Sequence, residues 1–180
     1  MKSVSIAICL IVSLTGCQSL PGGSGSRAYA LAPGSTVTLN APVPVRKRSS
    51  KIYIMSGETF SRGGFSFEPA CRLDLRSVAA ADYEIQPQTW TVRRTNMERG
   101  YFVRGSQPMM FAGPIRGFGG DQPSHVTFAT HMVFENETSS DVYRLSCGQL
   151  ADGYGNNYLP LDAIQAVLGS LVTLEPLAIQ

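Results

Sequence analysis

The chain has 180 residues, 43% hydrophobic and 16% charged. That is apolar mass enough for one domain with a core, and too much for a wholly disordered chain. Fifteen Lys and Arg against 13 Asp and Glu leave a formal charge of +2, which gives no electrostatic footprint for nucleic acid. The charge is uneven, with 14 basic and 6 acidic residues before Asp121, and 1 basic and 7 acidic from there on.

After Met1 and Lys2, Val4–Leu14 is apolar apart from Ser5 and Ser13. As a helix this segment rises about 16 Å, against a hydrocarbon core of roughly 30 Å. It therefore reads as the apolar region of a secretory signal peptide and not as a membrane span. Leu14-Thr15-Gly16-Cys17 follows directly. These four residues resemble the lipobox of bacterial lipoproteins, in which small residues admit a peptidase and the cysteine thiol takes a diacylglyceryl group. The resemblance implies that residues 1–16 are removed and that Cys17 becomes the lipidated first residue. Several acyl chains (palmitate among them) anchor stably where one binds only marginally. Gln18 stands where an aspartate would imply retention in the inner membrane, so the resemblance places the protein on the periplasmic side of the outer membrane.

Gln18–Gly34 is rich in Gly, Ser and Pro and reads as a flexible tether, residues 17–34, with a reach of about 20–25 Å. A periplasmic β-rich domain is expected over residues 35–180. Cys9 leaves with the signal peptide and Cys17 is spent on lipid, which leaves Cys71 and Cys147 in an oxidising compartment. Alternation puts Cys71, Leu73 and Leu75 on one face of a strand and Arg72, Asp74 and Arg76 on the other. Tyr143, Leu145 and Cys147 likewise oppose Arg144 and Ser146. Both cysteines thus face a core, and a buried bridge between strands or between sheets is expected.

Strand signals recur along the domain. Thr36–Leu39 and Lys51–Met55 alternate, while Pro42 and Pro44 make Ala41–Val45 an edge or a connection. Gly57–Gly64 reads as a loop and Cys71–Arg76 as a strand. Thr89–Arg94 and Tyr101–Arg104 flank Thr95–Gly100, which reads as the polar tip of a hairpin. Gly105–Ser124, with its Gly and Pro, reads as a long loop. Val126–Glu135 and Asp141–Gln149 form an antiparallel pair turning at Asn136–Ser140. Pro160 before Leu161–Leu168 and Gly169 after it mark a helix, with a last strand at Leu171–Leu174. The fold class expected is mainly β: an antiparallel β-sandwich or open barrel with one short C-terminal helix. The F-x-P-x-C-x-L stretch Phe67–Leu73 and the helix ending at Leu168-Gly169 resemble small proteobacterial outer-membrane lipoproteins of uncharacterised function, a resemblance that implies no activity.

Candidate binding residues fall in two groups. Arg46, Lys47, Arg48 and Lys51 form the densest basic run, suited to an anionic glycan, a lipid or an acidic partner. Phe111 and Phe118 sit on the long loop, where exposed aromatics serve contact. Arg93, Arg94, Arg99 and Arg104 gather around the expected hairpin, and the parity of Trp90 with Val92 assigns Trp90 to the core. His125 and His131, near Met109, Met110 and Met132, carry soft-metal donor types but no tight ligand spacing, and read as exposed or edge histidines. No G-x-S-x-G elbow marks a catalytic serine, and Gly117–Gly120 lacks the lysine of a phosphate loop. The expected function is a non-enzymatic, membrane-anchored envelope module with no cofactor and no metal. It docks on an envelope protein, with an anionic glycan or lipid as the alternative ligand and hydrolysis as the remotest one.

Overall fold

The computed structural model describes residues 28–60, 63–101, 125–135, 141–153 and 155–177, apart from the side chains of Tyr101 and His125. Ten strands and one helix run in the order β1 (Thr36–Leu39), β2 (Val43–Val45), β3 (Lys51–Met55), β4 (Glu58–Phe60), β5 (Ala70–Leu75), β6 (Tyr83–Ile85), β7 (Gln88–Tyr101), β8 (His125–Phe134), β9 (Val142–Asp152), α1 (Leu161–Leu168) and β10 (Val172–Glu175) among the described residues. Eight strands form one curled antiparallel sheet, a half-barrel, in the order β10-β1-β7-β8-β9-β5-β3-β4. β2 and β6 form a separate two-stranded ribbon. The mainly-β, open-barrel expectation holds.

One face of the curled sheet makes the core. Val37 and Leu39 of β1, Ile52 and Ile54 of β3, Leu73 of β5, Trp90 and Val92 of β7, Met132 of β8 and Leu145 of β9 are buried there. Trp90 stacks flat on Phe134 at 5.0 Å, so its core assignment holds. α1 closes the curl because it touches β10 near one end of the sheet order and β3 and β5 near the other. It buries Ile164 and Leu168. The helix begins after Pro160 and stops at Gly169, whose φ of 59° suits a residue without Cβ. Gln165 then fixes the helix to the terminal strand. Its amide donates to the carbonyls of Gly169 and Val172, and its side-chain oxygen accepts from Leu174 N–H.

Four expectations are corrected. First, Thr95–Gly100 is not a hairpin tip, since β7 runs unbroken from Gln88 to Tyr101 and pairs with β8 as far as Tyr101 opposite Val126. A register shift between Val92 and Arg94 leaves Arg93 as the extra residue of a bulge. Second, the Gly57–Gly64 loop contains β4. Ser56 and Gly57, at φ 52° and 79°, form a two-residue connection with two positive φ values that joins β3 to β4. Third, Tyr83–Ile85, to which the sequence assigns no element, forms the three-residue strand β6 paired with β2. Fourth, the domain includes part of the expected tether. Leu31 is 2% exposed in the core, Gly34 N–H donates to Val92 O, and Leu161 N–H donates to Ala28 O. Burial of Leu31 and these backbone hydrogen bonds together bring residues 28–34 into the fold. Cys17 and Asn136–Ser140 lie outside the described residues.

Candidate functional site

Cys71 and Cys147 stand directly opposite one another on the adjacent strands β5 and β9, with their sulfurs 2.06 Å apart. The bridge is therefore inter-strand, within one sheet, and both cysteines are wholly buried. It ties together the strands that carry the polar residues described below.

Arg46, Lys47 and Arg48 leave β2 on a turn that is fixed by its backbone. Lys47 N–H donates to Asp82 Oδ1 at 2.6 Å, Arg48 N–H to Ala79 O and Ser49 N–H to Arg46 O. Ala79 N–H in turn donates to Ser49 O. Arg48 holds a left-handed conformation at φ 66°, which a residue with Cβ adopts only when its surroundings determine it. All three side chains are exposed, and Asp82 is the acid beside them, 3.8 Å from Arg46. Val78, which immediately precedes Ala79, is 61% exposed. Lys51 opens β3 at the exposed end of the same connection, in register with Asp74. The structure thus brings Arg46, Lys47 and Arg48 together and places Lys51 on the next strand. Phe111 and Phe118 lie outside the described residues.

A second cluster was missed as a site. On the sheet face opposite the core, Asn96, His131, Ser146 and Arg72 stand in one cross-strand row over β7, β8, β9 and β5. His131 is not an exposed or edge histidine, because it is 4% exposed on a central strand. Its Nδ1 lies 2.8 Å from Ser146 Oγ and its Nε2 lies 3.0 Å from Glu98 Oε2. Ser146 Oγ donates to Asp74 Oδ2 at 2.8 Å, and Arg144 Nε donates to the same oxygen at 2.8 Å. Arg72 Nε approaches Asp74 Oδ1 at 3.0 Å, but the two atoms are not aligned for a hydrogen bond, so the contact is one of charge. The Arg72 guanidinium also lies over the Phe65 ring. Burial, followed by the positive charge of Arg144 and Arg72, lowers the His131 pKa from its ordinary 6.5, while Glu98 and Asp74 work in the other direction.

Glu98, His131 and Ser146 are the residue types of acyl-transfer catalysis. Ser146, however, is wholly buried and aims its hydroxyl at Asp74, so no substrate carbonyl reaches it in this conformation. Two surface hollows are lined by other residues. One of about 450 Å³ lies against Phe67, Gln149–Asp152 and Asn157, and another against Pro44–Arg46 and Asp82–Glu84. No set of three His, Cys, Asp or Glu side chains could hold a metal ion among the described residues. The chain matches no family model, no curated protein and no solved structure.

Proposed function

We propose that this protein is a non-enzymatic, lipid-anchored module of the bacterial cell envelope that docks on another envelope component through the turn Arg46–Arg48. The observation that carries this reading is the backbone-locked presentation of three exposed cations on one turn. A left-handed Arg48 is the kind of local cost that structures keep at contact sites. The Leu14-Thr15-Gly16-Cys17 motif supports the anchor and the outer-membrane address. The paired sulfurs of Cys71 and Cys147 suit an oxidising compartment.

The ligand is an acidic envelope protein in the leading reading. The second reading, an anionic glycan or lipid such as peptidoglycan carboxylates or lipopolysaccharide phosphates, draws on the same three cations. Cosedimentation with envelope material tests the site. Exposed charge contacts contribute about 0.2–1 kcal/mol each, so the triple variant R46S/K47S/R48S should bind roughly 3- to 150-fold more weakly. Wild-type binding should fall as salt rises through 0.1–0.5 M, roughly the range over which screening shortens to a few ångströms. Repeating the assay with protein-stripped peptidoglycan and with lipopolysaccharide separates the two ligand classes. Equal cosedimentation of the triple variant and the wild type with every fraction would remove the turn from the account.

A further inference from the structure

The polar chain on the outer sheet face makes one contact more than it has hydrogens for. Glu98 Oε2 meets His131 Nε2 at 3.0 Å, His131 Nδ1 meets Ser146 Oγ at 2.8 Å, and Ser146 Oγ meets Asp74 Oδ2 at 2.8 Å. Each contact needs one hydrogen between its heavy atoms. With both carboxylates ionised and the imidazole neutral, the chain holds two: one on the ring and one on the serine.

We propose that Glu98 and His131 form a proton-operated latch on the outer face of the sheet. With one added proton, all three contacts are made and Glu98 is clasped to the ring. Without it, the ring keeps its hydrogen on Nδ1 and donates to Ser146, Ser146 donates to Asp74, and Glu98 turns to water. Burial decides which contact opens. The Asp74 side chain is 3% exposed and depends on its donors, whereas that of Glu98 is 40% exposed and is rehydrated on release. The output is a carboxylate presented on β7, on the pleat face shared with Asn96 and Arg94.

The charged groups around the ring come from three strands: Glu98 from β7, Arg144 from β9, and Arg72 and Asp74 from β5. The two carboxylates favour the added proton; burial and the two arginines oppose it and prevail, so the latch closes below pH 6.5. The sign for stability follows. The folded ring holds its proton less firmly than the unfolded one, so the neutral ring's stabilising contribution is complete above pH 6.5 and is lost as the pH falls through the lower, folded value.

The test is a long-range ¹H–¹⁵N correlation of the imidazole nitrogens in the full-length, ¹⁵N-histidine-labelled chain in detergent, followed from pH 8 to pH 4. H125Q distinguishes the two rings. The expected result is an Nδ1–H tautomer for His131 at neutral pH, with proton uptake below pH 6.5. E98Q removes the anion and offers an amide N–H to the bare Nε2, so the midpoint should fall by roughly one pH unit. An Nε2–H tautomer at neutral pH would place Nδ1 as acceptor of the Ser146 hydroxyl, the arrangement of an activated nucleophile, and would overturn the latch. An unchanged midpoint in E98Q would overturn it equally. The tautomer is read on the unaltered chain, so the outcome does not depend on how well the variant folds.

Discussion

Asp74→Ala should lower the stability of the domain by about 3–5 kcal/mol, the usual loss when one partner of a buried charge cluster is removed. The carboxylate accepts from Arg144 and Ser146 and faces Arg72. The two arginine side chains are only 12% and 21% exposed, so water replaces the lost anion poorly. For a domain of this size the change corresponds to a fall in Tm of roughly 6–20 °C. Asp74→Asn keeps an acceptor oxygen without the charge and should fall between the wild type and Asp74→Ala. Urea unfolding followed by circular dichroism gives the comparison. A loss below about 1 kcal/mol in Asp74→Ala would mean that the cluster is solvated and contributes little.

The double variant C71A/C147A should lose about 2–5 kcal/mol. The bridge closes a separation of 76 residues, for which the chain-entropy description gives about 4.5 kcal/mol. Both cysteines are wholly buried in the core, and truncating them adds a packing loss to the entropic one. Reduction of the wild type should reproduce most of the effect, because it opens the loop without removing the sulfurs. Unfolding curves with and without reductant make the comparison. Two free thiols in the denatured, unreduced chain would contradict the bridge outright.

Local patterns were legible wherever one face was apolar and the ends were punctuated. Thr36–Leu39, Lys51–Met55 and Leu161–Leu168 were expected with the bounds they have, because β-branched alternation or a Pro-to-Gly frame defines them from nearby residues. β7 was not legible. Beyond Val92 it reads Arg93, Arg94, Thr95, Asn96, Met97, Glu98, Arg99, polar on both faces, so no period of two survives and a turn is the natural reading. What keeps that stretch extended is its long pairing with β8, which is information from another part of the chain.

The same distinction divides the sites. The basic run Arg46–Arg48 is contiguous and therefore legible as a run of charge, although the fixing of its turn by Asp82 and Ala79 was not visible. In the polar chain, alternation placed Arg72, Asp74, Arg144 and Ser146 on the face away from the core, where they are. Their burial depends on the register of four strands, which puts His131 beside Ser146 and brings Glu98 within reach of the ring. A histidine that shares its strand face with Thr127, Ala129 and Glu135 reads as exposed until its neighbours across the sheet are known.

The proposed docking through the cationic turn is tested most directly by recovering the wild type and R46S/K47S/R48S side by side from native membranes in mild detergent. Copurifying protein, glycan and lipid are then quantified by mass spectrometry. The expected result is one envelope component present in near-stoichiometric amount with the wild type and depleted severalfold with the variant. Equal recovery with both proteins, or no component above background with either, would contradict docking through Arg46, Lys47 and Arg48.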